Sequence, residues 1–196
     1  MPLEFDEATH TYRLDGKIIP SVTQIIAPLY SFEHVNAEVL ERASAFGTAV
    51  HRACELHDHD DLSDDLDDAL LPYLKAWVKF RADADFWPTS IETRVHCPVY
   101  KFAGTLDRIG TISGKLKIID IKTSTTLDKA IGVQLAGYEI AARSCGLIGP
   151  KEKVGRVAVQ LREDGTYKIE PYNDDFDKSA FMALLTLKNW KEKNGN

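Results

Sequence analysis

The run Ile118-Ile119-Asp120-Ile121-Lys122 sets a carboxylate and an ammonium two residues apart among β-prone neighbours. Alternate side chains of a strand share a face, so Asp120 and Lys122 project together while Ile119 and Ile121 project the other way. Such a pair on its own fits a structural ion pair at a strand end as well as a working site. Asp107 tips the balance. It lies thirteen residues earlier in GTLDRIG, and a turn at Ser113-Gly114 folds the two segments into adjacent strands with the carboxylates roughly opposed. Convergent carboxylates repel unless a cation lies between them, and a hard divalent ion with oxygen ligands is the usual resolution.

Two helical segments carry further candidates. In GTAVH the spacing i, i+4 puts Gly47, His51 and Glu55 on one face, with a small residue beside an imidazole and a carboxylate. A helix histidine taken alone is more often a satisfied core or surface residue than a ligand. In QLAGY, Gln134 and Tyr138 share a face and Gly137 allows tight packing. His57 and His59 lie inside HDHDDLSDDLDD, residues 57–68, which reads as a solvated acidic loop or helix start rather than a metal site.

These residues need a scaffold, and the patterning supplies one. TYRLDGKIIPSV reads as a hairpin turning at Asp15-Gly16, then Ser21 as N-cap of a helix over 22–29. Residues 35–57 form a long helix with apolar positions at Val39, Leu40, Ala43, Phe46, Val50 and Cys54, and a second helical stretch runs from Leu70 to Phe80. Strands follow at 91–99, 101–110 and 115–122, forming a meander, then a helix over 128–145 ending at Gly146. A hairpin over 154–161 and 166–171 turns at Asp164-Gly165, and a final helix runs from about Asp174 to Lys193. This order implies one central sheet with helices packed on it, an α/β or α+β layered domain.

Bulk properties set bounds. A chain of 196 residues, 44% hydrophobic and 28% charged, is the size of one soluble domain. No run approaches the roughly 20 apolar residues of a membrane helix, and the N-terminus shows no secretory pattern, so the expectation is a cytoplasmic protein with no membrane partner. Cys54, Cys97 and Cys145 lack CxxC spacing and are read as reduced thiols, too few for an iron–sulfur cluster. Trp77, Trp87 and Trp190 are read more simply as core aromatics than as stacking platforms, though one exposed aromatic could serve single-strand stacking. A net charge of −6 argues against a nucleic-acid partner only weakly, because seven of the 30 acidic residues fall in 57–68 and the other 23 balance 24 basic ones.

Gly47…His51, Gly104…Asp107, Asp120-Ile121-Lys122 and Gln134…Tyr138 occur in an order that resembles the RecB-like branch of the PD-(D/E)XK nuclease superfamily, GxxxH, GxxD, DxK and QxxxY. IPSVTQII, residues 19–26, is similar to a segment of phage-type nucleases of that branch and of mitochondrial genome maintenance exonucleases. The resemblance covers residues 10 to about 140, and Leu106 stands where the superfamily's name has proline. It implies an α/β restriction-endonuclease-like core, a central mixed β-sheet flanked by α-helices, in a single domain over 1–196, with 1–34 as an N-terminal hairpin and short helix elaboration. It further implies that Asp107, Asp120, the Ile121 backbone carbonyl and His51 bind Mg²⁺ or Mn²⁺, with Glu92 and Glu55 as additional candidates. Lys122 would orient or deprotonate the attacking water, and Gln134 and Tyr138 would position the scissile strand or brace the site.

The implied activity is hydrolysis of DNA, as an exonuclease on single strands or duplex ends in recombination, repair or replication of a phage or bacterial genome, with a recombination or replication protein as partner. A structure-specific endonuclease or nickase is the alternative within enzymes. A catalytically inactive DNA-binding or assembly module predicts erosion of Asp107, Asp120 and Lys122, all of which are present. A hydrolytic metal site for a small molecule has no substrate-specific feature in its favour.

Overall fold

The computed structural model describes residues 2–31, 36–63 and 65–195. Two small expectations, the start of the long helix at residue 35 and Asp64 within the acidic run, lie outside the described residues. A three-stranded antiparallel sheet opens the chain: β1 (Leu3–Asp6), β2 (Thr11–Leu14) and β3 (Lys17–Ile19). The Asp15-Gly16 hairpin is present, both residues having positive φ as a primed turn requires. β1 was not among the expected elements. Ser21 caps α1 (Val22–Ile26) in a full capping box with Gln24, after which a 3₁₀ turn (Ala27–Leu29) takes over the rest of the expected helix.

The main sheet has the order β4 (Phe86–Cys97), β5 (Phe102–Ile112), β6 (Lys115–Lys122), β7 (Gly155–Leu161), β8 (Tyr167–Pro171). β4, β5 and β6 are the antiparallel meander, β6 and β7 run parallel, and β7–β8 is the expected hairpin. The sheet is therefore mixed. A parallel neighbour requires a crossover, which α4 (Ala130–Ser144) supplies. β4 begins five residues before the expected Ile91, because Pro88 obscures the pattern. As an edge strand β4 tolerates a residue without an N–H, and the register slips between Pro88 and Ser90.

Helices cover both faces. α1, α4 and α5 (Phe176–Asn194) bury Val22, Ile25, Leu135, Ala142, Phe181 and Leu185 on one side, with Phe102, Leu106 and Ile118 of the sheet. α2 (Ala37–Asp58) and α3 (Leu71–Asp83) bury Val50, Cys54, Trp77 and Phe80 on the other, against Ile119, Ile121 and Val159. The strand alternation expected of β6 thus holds: its isoleucines at 119 and 121 face α2 and α3. The N-terminal sheet packs Tyr12, Leu14 and Ile19 on Ala103 of β5, and Ala103 donates its N–H to the Pro20 carbonyl.

Three expectations need correction. Trp77 is fully buried, but Trp87 and Trp190 are 66% and 54% exposed, at an edge strand and on the outer face of α5. The N-terminal half of α2 is not core: Val39 is 55% exposed, and only Val50, Ala53 and Cys54 are buried. Nor is the whole acidic run solvated. Asp58 closes α2 with its carboxylate wholly buried, accepting from Arg108 Nε at 2.7 Å, Arg81 Nη1 at 2.7 Å and Trp77 Nε1 at 2.9 Å.

That knot ties the end of α2 to the sheet. Removing one member of a buried ion pair strands the other, which typically costs about 3–5 kcal/mol. Asp58→Ala is therefore expected to lower unfolding stability by roughly that amount in urea titrations, whereas Asp61→Ala, exposed beyond the helix end, leaves it within about 0.5 kcal/mol.

Candidate active site

Three adjacent strands each bring one carboxylate. On β4 and β5, the pairs Ile91–Arg108 and Thr93–Leu106 bracket Glu92 opposite Asp107. On β5 and β6, Arg108 opposite Ile119 sets Asp120 one step further along, beside Asp107. The Ser113-Gly114 turn that produces this register has positive φ at both residues. Asp107 and Asp120 are 8% and 2% exposed, so acids that are normally solvated sit side by side in the interior.

From the other face α2 delivers His51, whose Nε2 lies 3.0 Å from the Ile121 carbonyl oxygen. Its Nδ1 is 3.6 Å from Asp107 Oδ2 and 3.8 Å from Glu92 Oε1. Ile121 is held at both backbone groups, since its N–H donates to Asp107 Oδ2 at 2.6 Å. One ligand-type atom from each of His51, Glu92 and Asp107 lies within 4.8 Å of the others, the one such group of three among the described residues. Asp120 is not one of these three: its Oδ2 is 2.7 Å from Lys122 Nζ, and that ammonium also donates to Gln134 Oε1 at 3.3 Å.

The structure therefore draws His51, Glu92, Asp107, Asp120, Ile121, Lys122, Gln134 and Tyr138 to one end of the sheet. Tyr138 is buried against Gly104, where a Cβ would come 2.7 Å from the ring; the glycine of GxxD is needed for this ring to lie on β5. Gly137 likewise seats Phe181 of α5. Gly47 has no such need, because a Cβ there meets only Thr123 Oγ1 at 3.6 Å. Glu55 is not in the cluster; it pairs with Arg52 at 2.7 Å along the cleft wall.

A cleft of about 710 Å³ opens over the cluster. Ser44, Thr48 and Arg52 of α2 line one side, and Phe5, His10 and Tyr12 of the N-terminal sheet another, with Arg94 stacked on Phe5 at 4.6 Å. Sequence reasoning missed this wall, and it missed Arg108 and Asp58. The available signals were faint: Arg108 follows Asp107 directly, and Asp58 lies two helical turns beyond His51.

The electrostatics follow from burial. Burial pushes the Asp120 carboxyl up, the Lys122 ammonium pulls it back and neighbouring Asp107 raises it, to about 6. Burial also raises Asp107, against the opposing pull of His51. Burial alone would lower His51, but the Asp107 and Glu92 carboxylates raise it to about 9. Lys122 shows the same contest, and Asp120 and Asp107 hold its proton more firmly than usual.

A family model described as the PD-(D/E)XK nuclease superfamily matches residues 62–192, which include the meander, Asp107, Asp120, Lys122 and the helix with Gln134 and Tyr138. The chain belongs to the PD-(D/E)XK nuclease superfamily. The mixed five-stranded sheet between helical layers is the restriction-endonuclease-like α/β fold of that superfamily. Among solved structures, an alkaline exonuclease from Laribacter hongkongensis is similar at 12% identity and a TM-score of 0.40, over 89% of this chain and 91% of that one. The form of that enzyme in complex with dAMP gives 13%, 0.37, 90% and 93%. No curated protein sequence matches.

An acid whose pKa rises on folding binds more protons folded than unfolded, so its contribution to stability falls as pH climbs from 3.8 to about 6 and stays low above that. Asp120→Asn removes the burdened charge. In EDTA at pH 7.5 it is expected to stabilise the protein by on the order of 1–3 kcal/mol, at about 2–4 °C of melting temperature per kcal/mol. The gain shrinks toward pH 4, and calorimetric melting across pH reads both.

Proposed function

We propose that the protein is a deoxyribonuclease that hydrolyses phosphodiester bonds with the help of Mg²⁺ or Mn²⁺, acting as an exonuclease on single strands or duplex ends. The observation that carries the reading is the cluster of Glu92 and the buried Asp107 and Asp120 beside Lys122, where burial still holds the two aspartates above the usual carboxylate range. The donor set suits a hard divalent ion: carboxylates of Asp107, Asp120 and Glu92, the Ile121 carbonyl and one imidazole, the last favouring Mn²⁺. Asp120 Oδ2 is buried with the Lys122 ammonium 2.7 Å away, so a cation bound there would share this oxygen with Lys122.

A bound ion supplies the Lewis acidity that lowers the pKa of water and offsets charge on the phosphoryl oxygens. The remaining work falls to the chain. Lys122 holds and orients the attacking water; it gives up its own proton more readily once Asp120 and Asp107 are neutralised, since those two hold its pKa up. Gln134 keeps the Lys122 ammonium in place through the 3.3 Å contact. Tyr138, wedged on Gly104, braces that helix against β5. Arg52 and Arg94, paired with Glu55 at 2.7 Å and Glu7 at 2.9 Å, would exchange those partners for the phosphate backbone, and Phe5 and His10 give the cleft an aromatic lining that suits nucleobases.

This reading takes residues 1–196 as a single nuclease domain, with residues 1–34 as an N-terminal elaboration of which residues between Phe5 and Thr23 line the cleft. No described helix is long and apolar enough to cross a membrane. We place the activity in the cytoplasm of a bacterial or phage-infected cell, in DNA recombination, repair or replication, alongside a protein of that machinery.

With Mn²⁺ and end-labelled linear oligonucleotides, the wild type is expected to release nucleotides from an end, and Asp107→Ala or Lys122→Ala to lower the rate at least about 100-fold. Cutting of closed single-stranded circles would instead favour the endonuclease or nickase alternative. No cleavage by the wild type, with divalent-ion binding unchanged in Asp107→Ala, would favour the passive DNA-binding module. Since His51 at about 9 is protonated at neutral pH and must lose that proton to bind an ion, Mn²⁺ affinity should rise with pH until about 9. Calorimetry in buffers of different ionisation enthalpy should register the released proton.

A further inference from the structure

We propose that Arg108 is a positioning residue for the ion-binding cluster, one guanidinium that fixes Glu92 relative to Asp107 and to the helix carrying His51. The proposal rests on the ion-site reading above and adds a residue which that reading does not use. Arg108 is 0% exposed, and its side chain reaches three elements. Nη1 donates to Glu92 Oε1 at 2.9 Å and to the Asp107 carbonyl at 2.7 Å, while Nε donates to Asp58 Oδ2 at 2.7 Å. Asp58 stands seven residues after His51, two turns along the same side of α2. The guanidinium therefore connects the strand of Glu92, the strand of Asp107 and the helix of His51.

Glu92 needs such a connection. Its φ is +41°, in the left-handed region, an unfavourable backbone for a residue with a side chain and one that persists only where its surroundings fix it. Its carboxylate also faces that of Asp107, which repels it. Arg108 at 2.9 Å and His51 at 3.8 Å are the two cationic partners within 4 Å of Glu92 among the described residues. His51 would be taken up by the ion, which leaves Arg108 as the group that keeps Glu92 directed into the cluster. A planar fork can satisfy Glu92, Asp58 and the Asp107 carbonyl together; the single ammonium of lysine cannot.

A purely structural role, the neutralisation of buried Asp58, predicts something different, and Arg81 provides the control. Arg81 also donates to Asp58, at 2.7 Å, but does not touch Glu92. Mn²⁺ binding by the intact chain, followed by the electron paramagnetic resonance of free Mn²⁺, separates the two roles. Arg108→Lys is expected to weaken Mn²⁺ binding about ten- to a hundredfold, the range for residues that orient metal ligands, and Arg81→Met less than about threefold. In a Glu92→Gln background, Arg108→Lys should cost almost nothing more, because both changes remove the same contribution.

Wild-type affinity in folded Arg108→Lys, or losses that multiply in the double variant, would overturn the proposal. If Arg108→Lys does not fold, Asp58→Asn serves instead, keeping the guanidinium on Glu92 but loosening its anchor. A few-fold loss of affinity that disappears with Glu92→Gln supports the positioning role, and no loss overturns it. A wild-type chain that binds no Mn²⁺ defeats the ion-site reading itself, and the proposal with it.

Discussion

Repulsion among Glu92, Asp107 and Asp120 is the constraint on which the rest of the structure depends. Three acids on facing positions of adjacent strands, two of them almost fully buried, are costly in a metal-free protein, as the elevated Asp107 and Asp120 show. The fold answers with cations fixed from three directions. Lys122 comes from the same strand as Asp120, His51 from the helix across the sheet, and Arg108 from beside Asp107. Each compensates only partly. The arrangement trades stability for a concentrated negative charge that an external cation can relieve, a form of stored strain that functional sites commonly carry.

The architecture serves that purpose. Tight turns and the meander produce the strand register, and the register produces the acid cluster. The parallel β6–β7 pair obliges the chain to cross over through α4, and this crossover brings Gln134 and Tyr138 back over the end of β6. Two polar contacts, His51 on the Ile121 carbonyl and Asp58 on Arg108, fix the C-terminal half of α2 on the sheet beside the apolar packing of Val50 and Cys54. Its N-terminal half is exposed at Val39, and Ser44, Thr48 and Arg52 along the helix face the cleft. The small N-terminal sheet closes the opposite wall through its contact with Ala103.

Local periodicity made much of this legible in the sequence. The alternation in IIDIK set Asp120 and Lys122 on one face and Ile119 and Ile121 on the other, and the Ser113-Gly114 turn put Asp107 beside Asp120. Ser21, Asp15-Gly16, Gly146 and Asp164-Gly165 marked ends and turns correctly, since each depends on backbone chemistry within a few residues. What was hidden depends on distant packing. Asp58 is indistinguishable from the solvated aspartates that follow it until α2 is docked on Arg108. Trp87 and Trp190 looked like core residues because aromatic character alone does not reveal which face of an element is covered. The left-handed φ of Glu92 has no signature at all in the run Ile91-Glu92-Thr93.

The central claim is that the acids around Asp107 form one site for a divalent cation. Crystals of the protein soaked in Mn²⁺, with diffraction measured at a wavelength where manganese scatters anomalously, test it directly. The account predicts one strong peak within bonding distance of the Asp107 and Asp120 carboxylates and the Ile121 carbonyl oxygen. A peak confined to the aspartates of residues 60–68, or none anywhere, would contradict it.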